Sequence, residues 1–154
     1  MEYQYNSSYL TRDGRPWFPV MGEMHYTRYR QELWEESLRK MKAGGVTIVS
    51  TYVIWLHHEE EEGVFDFSGC RDLKRYVELC DRVGLKVFLR LGPWVHGECR
   101  NGGFPDWVAA LGKEGVKLRS NDDTYLRYVR RYWEQVYARV KGQMDEDGGP
   151  VIGV

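Results

Sequence analysis

The stretch AGGVTIVSTYV, Ala43 to Val53, decides how this chain folds. Its two glycines stop whatever precedes them, and a nearly continuous β-branched run follows from Val46 to Val53. A strand wetted on one face alternates apolar and polar side chains. An unbroken run like this belongs to a strand covered on both faces, as in a parallel sheet. Parallel neighbours need long crossovers, so helices are expected on either side.

Both sides agree. From about Gln31 to Ala43, Trp34, Leu38 and Met41 recur at helical spacing on one face, and Gly44-Gly45 ends the segment. Ahead of it, WFPVMGEM (Trp17 to Met24) predicts a short apolar strand after the turn signal RDGRP. Downstream, Leu73, Tyr76, Val77 and Cys80 form an i, i+3, i+4, i+7 stripe that predicts a helix over about Cys70 to Val83. Gly84 ends it and LKVFLRL (Leu85 to Leu91) is the next strand. A helix from the N-cap residues Asn121-Asp122 to about Lys141 carries Leu126, Val129, Trp133, Val136, Tyr137 and Val140 on its expected apolar face. Arg127, Arg130, Arg131, Glu134 and Arg139 are expected to solvate the other face, and VIGV opens a fourth strand.

The order β-α-β-α-β-α-β implies a parallel sheet with right-handed crossovers. No glycine-rich phosphate loop follows any strand, which weakens the nucleotide-binding alternatives. The chemically rich segments GEMHY, TYVIW and GPWVHGE instead follow successive strands, where a (β/α)8 barrel has its mouth. Such a barrel takes about 250 residues. The expectation is therefore the N-terminal half, about four β/α units, of a (β/α)8 TIM barrel. Residues 1–154 are then expected to be one partial barrel domain cut at its fourth strand.

The totals exclude several classes. Lys and Arg number 22 against 23 Asp and Glu, a formal net charge of -1, so neither nucleic acid nor an anionic membrane surface is expected as a partner. Three cysteines without a CxxC pair argue against a disulfide framework or a zinc knuckle. MEYQYNSSYL has no basic segment leading into an apolar run, and no stretch approaches the ~18 apolar residues of a membrane span. A soluble, cytoplasmic protein is the default expectation, with export open if the N-terminus is incomplete. Oligomeric state is not legible.

The loop GPWVHGECRNGGFPDW, Gly92 to Trp107, concentrates the chemistry. From the residues alone Glu98 is the obvious acid candidate, because an apolar setting favours a protonated carboxyl. Its alternative is an ion pair with Arg100 or Arg90. Tyr52 reads equally as a core aromatic at a strand end, and His96 as a loop histidine bonded to carbonyls. Trp94 and Trp107 read as packing, Glu23 and His25 as braces of the barrel floor and mouth, and Cys99 as incidental. His57-His58 with Glu59 to Glu62 suggests metal, but adjacent histidines in an extended segment point apart, so a solvated loop is expected and no metal site.

Taken together, GEMHYTRYRQELWEESLRKMKAGGVTIVSTYVIWLHHEEEEGVFDFSG (Gly22 to Gly69), LRLGPWVHGECRNGGFPDW and GGPVIGV resemble the glycoside hydrolase family 35 β-galactosidases, from Trp17 to Val154. The resemblance implies a (β/α)8 enzyme that cleaves terminal β-galactosyl residues with retention and uses no cofactor. Retention needs two carboxyl groups about 5–5.5 Å apart. In this family the acid/base Glu follows the fourth strand, in a segment close to Q-V-E-N-E-Y, and the nucleophile comes later. Both are thus expected after Val154, with no catalytic residue inside this chain. The resemblance makes Tyr52, His96, Gly97 and Glu98 substrate-binding, Gly97 through its backbone, so Glu98 binds a β-galactoside or oligosaccharide and does not catalyse. The chain departs from the family at Trp94, His96, Gly97 and Cys99, where P-Y-I-C-A-E-W is common, and at Ile54 and Leu56. Alternatives are a non-catalytic saccharide-binding relative and another barrel glycosidase, of family 42 or cellulase-like.

Overall fold

The structure, a computed structural model, describes residues 2–154. Its centre is a four-stranded parallel sheet in the order β4-β5-β6-β7: Met21–Glu23, Ile48–Tyr52, Lys86–Arg90 and Val151–Gly153. In front of it, β1 (Tyr3–Tyr5), β2 (Leu10–Arg12) and β3 (Arg15–Trp17) make a separate antiparallel sheet. The expected strand Trp17–Met24 is therefore two pieces, with Trp17 closing β3 and β4 beginning at Met21. The turn signal was correct, since Asp13 and Gly14 have φ of 51° and 73°, the two left-handed positions of a tight hairpin. The strands flanking it are short and largely exposed, so they leave no burial pattern to read.

The crossovers are α1 (Trp34–Ala43) between β4 and β5, α3 (Leu73–Val83) between β5 and β6, and α5 (Asp123–Val140) between β6 and β7. Two further helices sit in loops at strand ends: α2 (Trp55–His58), and α4 (Asp106–Lys113), for which the sequence carries no stated helical signal. Each crossover starts or stops for a local reason. Asp72 accepts from the Arg75 amide at the start of α3, and Gly84 ends that helix in the left-handed conformation at φ 82°. Asp122 accepts from the amides of Thr124 and Tyr125 at the start of α5.

Between sheet and helices lies one core. Val49, Val87, Leu89 and Val151 from the strands meet Trp34, Leu38, Leu73, Tyr76, Val77 and Cys80 from α1 and α3. On α5 the buried stripe is Tyr125, Val129, Tyr132, Val136 and Val140. The expected apolar face was thus rotated too far. Trp133 is 39% and Tyr137 57% exposed, while Tyr132 is fully buried with its hydroxyl donating to the Val53 carbonyl at 2.7 Å.

The acidic run departs most from expectation. His57-His58 lie in the turn of α2, not an extended segment, and His58 and Glu59 are buried where a solvated loop was expected. His58 Nδ1 bonds the Asp66 carbonyl at 2.9 Å, and its Nε2 meets the Tyr26 hydroxyl at 2.6 Å. Burial holds its pKa down at about 4. The Glu59 carboxylate accepts from Trp55 Nε1 at 2.7 Å, from the Gly63 amide at 2.8 Å and from Arg131 of α5. Arg131, expected on the wetted face, is the cation that makes a buried Glu59 tolerable. Trp55, stacked on Tyr132 at 4.9 Å, and Trp107, which donates to the Glu59 carbonyl, complete this packing.

Candidate functional site

Parallel strands end on one edge of their sheet, so their last side chains gather there. The last residues of β4, β5 and β6 are Glu23, Tyr52 and Arg90, and Tyr52 is the direct register partner of Arg90. Arg90 lies with its guanidinium carbon 3.7 Å from the centre of the Tyr52 ring, donates to the Tyr52 hydroxyl, and pairs with Glu23. His25 packs on the same ring with centroids 5.0 Å apart, and its Nδ1 accepts the Tyr52 backbone N–H at 3.1 Å. That bond puts the neutral ring's proton on Nε2, 4.0 Å from Glu23. Burial, and then the Arg28 charge, hold the His25 pKa below its ordinary value. Glu23 and His25 are therefore parts of the mouth, and the barrel floor lies at the opposite strand ends.

The loop after β6 folds back onto this cluster through Val95, which packs with Tyr52 and Ile54 and donates its amide to the Gly102 carbonyl at 2.8 Å. Gly102 permits that approach. At φ 63°, any Cβ there would stand 1.8 Å from Trp94 Nε1. Trp94 in turn has the Arg119 guanidinium 4.2 Å from its ring centre and meets His96 edge-on at 4.1 Å. It packs the loop; its ring is not a free platform.

Of the four residues expected to bind substrate, three meet at Tyr52. Tyr52 is 4% exposed, the His96 amide donates to its hydroxyl at 3.3 Å, and Gly97 is buried against the ring, where an added Cβ would stand 3.7 Å from the ring carbons. The His96 ring itself is exposed. Glu98 stands apart. It is exposed, with φ 47°, between two neighbours held by one guanidinium: Arg28 donates to the Gly97 carbonyl and to Cys99 Sγ, the latter at 3.0 Å. The apolar setting expected around Glu98 is therefore not found. Neither proposed ion-pair partner takes it, since Arg100 pairs with Asp106 and Arg90 with Glu23. Cys99 is likewise not incidental, because it is one of the two contacts that fix this turn.

Arg28 and Arg90 were missed as parts of the site. Arg90 had a signal: in KVFLR, Val87 and Leu89 are buried while Lys86, Phe88 and Arg90 alternate with them, which puts a charged residue at the strand's carboxyl end on the inward face. Arg28 had none, because its partners are about seventy residues away in sequence. Among the described residues no group of three His, Cys, Asp or Glu is placed to hold a metal ion, and no helix is long and apolar enough to cross a membrane.

Strand–helix units with polar residues collected at the carboxyl ends of the strands define a portion of a (β/α)8 barrel, four strands of it. Solved barrel glycosidases have the same layout. The exo-β-1,4-mannosidase Op5Man5 from Opitutaceae bacterium strain TAV5 superposes with a TM-score of 0.65 at 19% identity, over 90% of this chain and 25% of its own. A β-galactosidase from Halorubrum lacusprofundi gives 0.57 at 21% identity, over 79% of this chain and 19% of its own. These are likenesses of fold.

The sequence carries the assignment further. Residues 9–154 match the model of glycosyl hydrolases family 35, and the chain belongs to that family. It is 36% identical to β-galactosidase of Mus musculus over 150 residues, and 37% identical to β-galactosidase 17 of Arabidopsis thaliana over 143 residues. These alignments cover 97% and 93% of this chain but 23% and 20% of the relatives, so the chain spans under a quarter of their length.

Proposed function

We propose that this chain is the sugar-binding portion of a retaining β-galactosidase barrel. Tyr52, His96, Gly97 and Glu98 line the pocket for a terminal β-galactosyl residue, and both catalytic carboxylates come from strands outside these 154 residues. The observation that carries the reading is the convergence of Tyr52, the His96 amide and Gly97 at one strand edge, beside Glu98. A carboxylate suits sugar hydroxyls because charge-assisted bonds exceed neutral ones in strength. In this reading Glu98 hangs from the turn that Arg28 pins, and ligand fills the space in front of Tyr52.

The test is a two-dimensional NMR titration of the chain with D-galactose, beside D-glucose and D-mannose. Saturable shifts at Tyr52, His96 and Glu98, strongest with galactose, are expected. Preferential binding of glucose or mannose would favour another hexosidase specificity, and shifts confined to other residues would refute the pocket. The chain alone is expected to leave p-nitrophenyl β-D-galactoside intact. Measurable turnover would show that a catalytic pair lies within it.

A further inference from the structure

We propose that Arg90 is the positioning residue of this pocket, and that it makes Tyr52 a hydrogen-bond donor to the ligand. The inference rests on the sugar-binding reading of Tyr52. The Tyr52 hydroxyl oxygen receives two N–H groups, one from the Arg90 guanidinium and one from the His96 backbone. Arginine and a backbone amide can only donate, so both contacts use the acceptor side of the phenol. The phenolic proton has no protein acceptor among the described residues, and is left to an oxygen brought by the ligand.

The rest of the cluster holds the same arrangement. Arg90 covers the Tyr52 ring as well as bonding its hydroxyl, which limits swinging of the phenol. Glu23 takes another edge of the guanidinium, balancing its charge and setting its plane. His25 fixes the backbone of Tyr52 and packs its ring. The groups facing the hydroxyl are thus Arg90 and the His96 amide, with Glu23 behind Arg90 and His25 beside the ring.

A donor and an acceptor can be told apart by ligand chemistry. Replacing one hydroxyl of galactose by fluorine keeps a weak acceptor and removes the donor, whereas a deoxy sugar loses both. The experiment titrates wild type, Tyr52→Phe, Arg90→Met and Arg90→Lys with galactose and its monodeoxy and monofluoro analogues, following NMR shifts. At one ring position the fluoro sugar should bind more tightly than the deoxy sugar by about threefold or more, the size of one neutral hydrogen bond. That gap should vanish in Y52F and R90M and survive in part in R90K, which keeps a cationic N–H donor but not the planar fork. If R90M keeps the gap, or wild type has none at any position while Y52F weakens galactose binding, the inference is wrong.

A second readout needs no sugar. With ¹³C-labelled tyrosine, the free chain should show the Tyr52 ring shifted and more mobile in R90M, and close to wild type in R90K. Unchanged Tyr52 resonances in R90M would overturn the assignment of Arg90. If wild type binds no galactose, or Y52F binds it unchanged, the sugar reading fails by itself and the ring data alone decide Arg90. Should R90M fail to fold, Arg90→Gln takes its place, and an unchanged gap together with unchanged Tyr52 ring signals in R90Q would be the refuting result.

Discussion

Glu59 gives the sharpest test of how this chain is held together. Its carboxylate is fully buried and answers three donors: Trp55 Nε1 at 2.7 Å, the Gly63 amide at 2.8 Å, and Arg131. Glu59→Ala strands all of them. The two neutral donors lose partners at about 1–2 kcal/mol each. The Arg131 side chain is one-third exposed, so water relieves part of its own loss. The sum is about 3–4 kcal/mol, within the range for breaking a buried ion pair. For a chain of this length that corresponds to a fall in Tm of about 10 °C. Arg131→Met should cost nearly as much, because it leaves a buried carboxylate with neutral donors only. The double variant Glu59→Leu/Arg131→Met removes both charges, and should be more stable than either Glu59→Ala or Arg131→Met. Urea unfolding followed by tryptophan fluorescence and far-UV circular dichroism measures all four proteins. If Glu59→Ala costs under about 1 kcal/mol, or the two single losses simply add, the buried pair is not what joins α5 to the loop after β5.

Three further outcomes follow from the same geometry. His58 takes a proton near pH 4 when folded and near its ordinary 6.5 when unfolded. The unfolded chain therefore binds more protons between those values, and stability should fall by about 3 kcal/mol as pH drops from 6.5 to 4. Urea midpoints across that window should show the slope, and His58→Gln should flatten it, leaving the weaker contributions of His25 and His57 with the same sign. Tyr26→Phe deletes the partner of His58 Nε2 in a fully buried site and should cost about 1–3 kcal/mol, read by the same unfolding curves. Gly102→Ala places a methyl group inside the Trp94 ring's space at a left-handed backbone position. It should cost about 2–3 kcal/mol and displace the Trp94 side-chain NMR signal; an unshifted indole signal would show that the loop is looser than described.

The alternation of strand and helix was legible because each signal for it is local. The β-branched run Val46–Val53, the stripe Leu73, Tyr76, Val77 and Cys80, and the caps Gly84 and Asp122 act within a few residues of themselves. Their type and order then restrict the sheet to parallel strands. The residues at the strand ends were legible only in part: β5 is buried along its whole length, so no alternation marks Tyr52, and the resemblance alone assigned it to the site.

What tertiary structure alone decided is who meets whom. Whether HHEEEE is wetted or buried depends on Arg131, seventy-two residues beyond Glu59, swinging in from α5. The exact face of α5 depends on Trp55 stacking on Tyr132, a choice between neighbouring aromatics that periodicity cannot make. Arg28 holding both neighbours of Glu98 joins two loops across the mouth. Period and propensity are properties of a short window of chain. Charge pairing, ring stacking and burial depend on three-dimensional distance, and only the folded chain sets that.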